Sequence, residues 1–400
     1  MQITDLATEQ KLPPLLRQAF RPMFLFGGAF SAIAILLWGL ALSGAIRLPV
    51  FANILFWHSH EMLFGFVSAI VIGFLLTAVQ NWTGIRAPHG KSLLFIVILW
   101  LTGRMLLLFG QHLPLWLVAL VDLSFLPVCA WLLALPLLRV NQHRNLFFVP
   151  VLLLLTFCNA MMYLGYALER YDLQQMGSQN AVWLVVLLMS VIGGRVLPMF
   201  TANGTQTRKT EPVLWLDRLA LGSLWLIFVV HFFSLVKFIP PQLMSLLFAL
   251  SALLLGIRCL RWKIWITLKV PLLWSLHIAY WFIPLGLALY AARYAGINIT
   301  NSIALHALTA GAMGSMILSM MARVSLGHSG RPLQPKAIMS LAFLLVICTA
   351  VSRTLFIWWW PQHTQYWLWA GISCWVIAYT VYVVVYIPVL TTPRADGRPG

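Results

Sequence analysis

Apolar stretches long enough to cross a bilayer recur from end to end of this 400-residue chain. A transmembrane helix needs about 20 mostly apolar residues, because each residue adds about 1.5 Å along the helix axis. Twelve stretches meet this requirement, at residues 22–43, 54–79, 92–110, 113–138, 146–168, 181–201, 213–236, 241–260, 271–294, 302–322, 337–360 and 365–390. With 61% hydrophobic and only 9% charged residues, the chain has no polar segment long enough for a water-soluble core. The sequence predicts an all-α polytopic membrane protein: an N-terminal segment 1–21, a single twelve-helix transmembrane domain 22–390 and a C-terminal tail 391–400.

Lysine and arginine indicate how these spans are oriented. If the N-terminus is cytoplasmic, 19 of the 26 basic residues fall on the cytoplasmic side, and two, Arg104 and Arg195, lie within spans. The outer side receives only five, which are Arg47, Arg170, Lys237, Arg293 and Arg353. This bias predicts that both termini are cytoplasmic. Because the basic residues are spread along every cytoplasmic loop, the net charge of +17 is a topology signal, and nucleic acid is not an expected partner.

An internal repeat is indicated by spans 2 and 10. When His60 is aligned with His306, the loops that follow the two spans also align. The matching pairs are Gly65 with Gly311 and Gly84 with Gly330, and Gly204 takes a similar place after span 6. The loops that follow spans 2, 6 and 10 share this glycine pattern, which predicts three repeats of four helices.

Two histidines open the second span, His58 and His60, and Glu61 follows them directly. Burying such groups in a bilayer costs free energy, so they normally have a specific function, such as binding a metal or a haem iron or forming a proton path. On a regular helix His58 shares its face with Gly65 and Ala69, whereas His60 points 200° away. Small residues would admit a flat porphyrin, so His58 is the better axial ligand, and His60 would bind a second metal or another haem. The alternative is an interfacial pair that only forms hydrogen bonds.

The tenth span supplies a partner histidine at the same predicted depth. His306 is followed on its face by Ala310 and Gly314, so a haem bridging spans 2 and 10 through two histidines is geometrically possible. Alternatively, these small residues only allow close helix packing. His277 in span 9 is a further candidate metal ligand, although it lies toward the predicted cytoplasmic side, and His231 is the remaining intramembrane histidine.

Buried charges within the spans need partners. Arg104 on span 3 and Asp122 on span 4 lie at similar depth across a short hairpin, which predicts that they pair, with Glu61 as another acceptor. A structural ion pair is one interpretation of Arg104. The other is that Arg104, Arg195 or Arg323 neutralises haem propionates, because a guanidinium is planar and always charged.

Five sequence blocks, together with these residues, resemble the NnrS family. They are residues 21–26 (RPMFLF), 57–66 (WHSHEMLFGF), 193–201 (GGRVLPMFT), 306–311 (HALTAG) and 321–331 (MARVSLGHSGR). The resemblance extends from about residue 20 to 390 and includes His277. It implies a bacterial inner-membrane protein with haem, expected to be b-type, and copper, linked to nitric oxide metabolism and protection from nitrosative stress.

Two function classes follow. The first is a haem- and copper-binding protein that binds, senses or removes nitric oxide, with His58, His60, His277 and His306 as metal ligands; an oxidoreductase activity and an electron donor or quinol stay open. The second is a transporter of a small molecule or metal that uses the same histidines and Glu61.

Twelve helices and histidines on spans 2 and 10 are reminiscent of haem-copper oxidase catalytic subunits. However, span 6 lacks a copper-ligand histidine, span 7 has only His231 and span 10 has one histidine, so a complete oxidase-type centre is not expected.

Overall fold

The computed structural model describes residues 6–399, and these residues form helices, turns and loops without a β-strand. Twelve of the helices are long and apolar enough to cross a membrane, so the predicted fold class is confirmed. In chain order α1 to α12 are Phe20–Leu42, Ile54–Thr83, Gly90–Phe109, Leu115–Arg139, His143–Ala167, Tyr171–Thr205, Leu214–Phe232, Pro241–Arg261, Pro271–Tyr294, Asn301–His328, Ala337–Trp359 and Pro361–Thr391. A helix satisfies its backbone hydrogen bonds internally, which is why apolar segments in lipid adopt it.

The helix boundaries depend on capping residues and polar segments, which a hydropathy profile does not detect. Asn53 caps α2, since its side-chain oxygen accepts hydrogen bonds from the backbone N–H groups of Leu55 and Phe56. The sixth helix begins at Tyr171, ten residues before the predicted span, because the polar segment 171–180 continues the helix outside the apolar run. Hydropathy therefore located the spans but not the helix ends.

The described residues divide into two compact units. One contains the residues up to Ala181 together with Met321–Gln334 and the residues from Tyr379 onward, and the other contains Val182–Met320 and Pro335–Ala378. A single transmembrane domain over 22–390 stays a prediction. Of the predicted N-terminal segment, residues 1–5 lie outside the described part of the chain, and Leu6–Gln10 forms a short helix. Of the predicted tail, residue 400 lies outside it.

Both α2 and α10 contain a π-helical segment immediately after a histidine. Glu61–Val67 follows His60, and Ala307–Gly314 follows His306. A π turn carries an extra residue, so side chains beyond it are rotated from their positions on a regular helix. The face predicted for His58, which assumed a regular helix through Ala69, is therefore wrong beyond Glu61.

The two helices also end alike. Gly84 follows α2 and Gly330 follows α10, and each has the left-handed backbone conformation with φ of 69°. The matching histidines, π-helical segments and left-handed glycines after the helices support the repeat for α2 and α10. The sixth helix differs, because it is α-helical throughout Tyr171–Thr205 and the left-handed residue after it is Gln206.

Candidate functional site

The imidazole of His60 lies fully buried between two carboxylates. Its Nδ1 is 3.1 Å from Oε1 of Glu61 on the same helix, and its Nε2 is 3.0 Å from Oδ2 of Asp122 on α4. The ring of Tyr163 on α5 stands nearly perpendicular to it, with the ring centroids 5.5 Å apart. A carboxylate accepts hydrogen bonds, so this arrangement suits an imidazolium that donates from both ring nitrogens.

Arg104 on α3 completes this cluster. Its guanidinium lies 3.0 Å from Oε1 of Glu61 and donates a hydrogen bond to Oδ1 of Asp122. The predicted pairing of Arg104 with Asp122 is therefore confirmed, and Glu61 is bound as well. Asn159 on α5 donates its Nδ2 hydrogen to Asp122 at 2.7 Å. We call His60, Glu61, Arg104, Asp122, Asn159 and Tyr163 the ionic cluster; it joins α2, α3, α4 and α5.

Several polar atoms of the ionic cluster have no hydrogen-bond partner among the described residues. They are Oε2 of Glu61, Nε and Nη1 of Arg104, Oδ1 of Asn159 and the hydroxyl of Tyr163. The four side chains are buried, Tyr163 at 3% exposure and Glu61 at 0%. Because unpaired buried polar groups are costly, the ionic cluster retains a capacity for hydrogen bonding that its own side chains do not use.

Gly65 allows Arg104 to reach the two carboxylates. A Cβ at Gly65 would lie 2.5 Å from Nη1 of Arg104 and 2.9 Å from Cε1 of Phe30. The backbone carbonyl of Gly65 accepts a hydrogen bond of 2.9 Å from Nε1 of Trp100. The expectation that Gly65 leaves room for a flat group beside His58 is therefore wrong, since a guanidinium and an aromatic ring fill that space.

His58 lies apart from the ionic cluster. Its ring stacks on Trp38 of α1, with centroids 4.2 Å apart and planes inclined by 26°. The side chain is half-buried, whereas His60 is fully buried. The two histidines thus have different surroundings, as their spacing in the sequence indicated.

His306 contacts an arginine. Its Nδ1–H donates to the backbone carbonyl of Ser302 at 2.7 Å, which leaves Nε2 as the acceptor of a 3.2 Å hydrogen bond from Nη2 of Arg353. The sequence had indicated Arg353 only as a charge on the outer side. It lies within α11, in the π-helical segment Ser352–Phe356, and its stem crosses Gly371, where a Cβ would be 3.3 Å from its Cγ.

The glycines beside His306 are also closely packed. A Cβ at Gly311 would lie 2.5 Å from Cδ1 of Phe282, and one at Gly314 would overlap the ring of Trp375. Here the interpretation that small residues permit close helix packing is the one the structure bears out.

The remaining predicted site residues are placed separately. His277 on α9 is buried, and its Nε2 is 2.8 Å from Oγ1 of Thr201 on α6. Arg323 is buried on α10, and Arg195 is half-buried on α6. Their predicted roles beside haem propionates stay predictions, as do the metal-ligand roles of His58, His60, His277 and His306.

Sequence reasoning missed a second buried arginine cluster, around Arg258 of α8. Arg258 binds Asp217 of α7 at 2.6 Å, the carbonyl of Ser190 at 2.9 Å and the hydroxyl of Tyr280 at 3.0 Å. A Cβ at Gly194 would overlap its guanidinium. Arg258 was counted as a cytoplasmic-side charge because it lies near the end of an apolar run. The one available signal was the glycine pair 193–194, which permits such an approach.

The candidate ligands for haem and for copper are imidazoles, which bind either metal. Imidazole ligates haem iron, and His58 and His306 are half-buried rather than enclosed. Among residues 6–399, however, no three His, Cys, Asp or Glu side chains are grouped so that they could hold a metal ion. The described residues therefore do not assemble a copper site of three protein ligands.

A family model described as NnrS protein matches residues 14–394, nearly the whole chain. No curated protein matches the chain.

Proposed function

The chain belongs to the NnrS family, and from this premise we propose that it is a haem-binding, multi-pass protein of the bacterial inner membrane that binds, senses or removes nitric oxide. The family is linked to the nitric oxide response. Twelve candidate membrane helices support the multi-pass part of the proposal. An even number of spans places both termini on one side, and the charge bias supports a cytoplasmic location for them.

One observation carries the haem assignment: in both α2 and α10 histidine lies in the helical turn that precedes a π-helical segment, His58 and His60 in α2 and His306 in α10. Segments of this kind occur frequently at functional sites. In α2 the adjacent His60 is held by two carboxylates, which leaves His58 as the ligand of that helix. In α10 the ligand is His306.

Hydrogen bonding selects the ligating nitrogen of His306. The Ser302 carbonyl holds Nδ1–H, so the imidazole lone pair is on Nε2, where it accepts the hydrogen bond from Arg353 that a bound metal would replace. Arg353 places a cation beside that nitrogen and is a candidate partner for an anionic group on the ligand. Haem held by one of these histidines would supply an iron with an open position that can take nitric oxide as a ligand. A single haem shared by His58 and His306 stays a prediction, and so does copper, which the family resemblance implies.

Absorption spectroscopy of the purified protein tests this proposal. We expect reduced-haem bands and bound iron in the wild type, and loss or a shift of the bands in His58→Ala and His306→Ala. His231→Ala is the matched control, because His231 also lies in a membrane helix and its Nδ1 binds a carbonyl, that of Ile227, at 2.8 Å. If both variants retain full haem with unchanged spectra, the assignment fails. Metal analysis of the same samples tests copper.

Transport of a small molecule or metal is the second candidate. The spare hydrogen-bonding atoms of Glu61 and Tyr163, buried within membrane helices, are the observation that favours it. Against it, every charged group of the ionic cluster has a protein partner, as expected of a fixed scaffold. Uptake into proteoliposomes that Glu61→Gln abolishes, in protein lacking haem, would establish transport instead.

A further inference from the structure

A basic cavity lies where α6 and α8 end. It has a volume of about 570 Å³ and is lined by the segment after α6, the last turn of α8 and the turn that follows α8. Four cationic side chains line it: Arg208, Lys209, Arg261 and Lys263. All belong to the unit that contains Val182–Met320. None of the histidines discussed above lines this cavity, so it is a separate site.

Hydrogen bonds between the two segments hold these cations around one space. Oγ1 of Thr210 donates to the carbonyl of Arg261 at 3.3 Å, and Nη2 of Arg261 donates to the carbonyl of Glu211 at 3.0 Å. Lys263 has a left-handed backbone with φ of 57°, which turns the chain after α8. The tertiary structure therefore converts charges from two separate loops into one cluster.

The charge of this cavity favours an anion. In the two segments 208–211 and 261–263, Glu211 is the one acidic residue beside the four cations. The one carboxylate on α7, that of Asp217, is already bound by Arg258. A phosphate group is the common biological anion that several Lys and Arg side chains bind together.

The apolar wall of the cavity points to a lipid rather than a free phosphate. Ile257 and Leu260 are exposed on α8, at 38% and 52%, and Trp265 is 57% exposed on the following turn. Since α8 is one of the twelve candidate membrane helices, we expect exposed apolar residues on it to face acyl chains. Tryptophan favours the level of the headgroups, and basic pockets between membrane helices bind anionic headgroups.

We infer that this cavity binds the headgroup of an anionic phospholipid, with an acyl chain along Ile257 and Leu260 of α8. The cations contact the phosphate, and Trp265 contacts the glycerol and the upper acyl chain. Lipid at this position joins the segment after α6 to the end of α8. This inference concerns a site outside the haem proposal and stands whether or not haem binds.

Lipid retention measured by native mass spectrometry tests the inference on the full-length protein. We expect phosphatidylglycerol to stay bound and phosphatidylcholine to dissociate. Each basic residue near an anionic surface strengthens binding about fivefold, so Lys209→Gln/Lys263→Gln should weaken phosphatidylglycerol binding roughly 30-fold. Arg218→Gln/Lys269→Gln removes two positive charges that are also exposed but lie outside the cavity, and it should retain binding.

Lysine labelling of the wild type provides a second measurement that does not depend on folding of a variant. Phosphatidylglycerol should protect Lys209 and Lys263 from an amine reagent and leave Lys269 reactive. Inorganic phosphate at matched concentration should protect neither. Equal retention of the two lipids, equal loss in both double variants, or protection by inorganic phosphate alone would each overturn the lipid assignment.

Discussion

Removing Arg104 from α3 should destabilise the protein strongly. Its guanidinium lies between the carboxylates of Glu61 and Asp122, and all three side chains are at most 2% exposed. Arg104→Ala leaves two buried carboxylates with only the imidazolium of His60 to balance them. Breaking a buried pair by removing one partner costs about 3–5 kcal/mol, because the remaining charge has no compensation. We expect a loss of that size in the free energy of unfolding.

Unfolding in mixed detergent and sodium dodecyl sulfate micelles, followed by tryptophan fluorescence, measures this free energy. Arg104→Lys should fall between the wild type and Arg104→Ala, because an ammonium group keeps the charge but lacks the fork that reaches both carboxylates. Arg104→Ala/Asp122→Asn removes one of the unpaired carboxylates. The free energy of unfolding that this double variant loses should be smaller, by at least about 1 kcal/mol, than the sum of the losses in Arg104→Ala and Asp122→Asn.

Arg170→Ala is the matched control, because Arg170 also pairs with an aspartate, Asp172, but both side chains are more than half exposed. Surface pairs of this kind contribute little, so the unfolding curve should not change. If Arg104→Ala unfolds within about 0.5 kcal/mol of the wild type, the ionic cluster does not stabilise the fold and the reasoning is refuted.

Two further predictions follow from packing and topology. Gly65→Ala should lower the free energy of unfolding by roughly 1–3 kcal/mol, because the new Cβ would lie 2.5 Å from Nη1 of Arg104. Gly222→Ala is the control and should be neutral or slightly stabilising, because a Cβ at Gly222 has nothing within 4 Å. Equal effects of the two substitutions would contradict the close packing at Gly65. A reporter fused after Pro393 should register in the cytoplasm, and an outer-side signal would reject the orientation derived from the charge bias.

The pairing of Arg104 with Asp122 could be predicted because it depends on features that are local in sequence. Consecutive membrane helices joined by a short loop run antiparallel, so residues equally distant from that loop lie at equal depth. The same locality explains the twelve spans, since length and hydropathy are properties of each segment alone. The glycines 84 and 330 were matched correctly for a related reason, because a left-handed helix end favours glycine wherever it occurs.

The partners of His60, Arg353 and Arg258 could not be predicted in this way. They depend on how each helix is rotated about its axis, which is set by packing against helices distant in the sequence. The π-helical segment after His60 changes that rotation within α2, and no pattern in the sequence marked it. For the same reason Gly65 suggested an open surface, while in the structure a guanidinium occupies the space beside it.

The sequence by itself determined the fold class, the number of membrane helices and one intramembrane ion pair, because each follows from hydropathy, charge and chain distance. Only the tertiary structure decided that His60 belongs to an ionic cluster on four helices, that Arg353 contacts His306, and that two loops form one basic cavity. The physical reason is that hydropathy specifies depth in the membrane, whereas side-chain partners depend on rotation and on contacts between residues far apart in the chain.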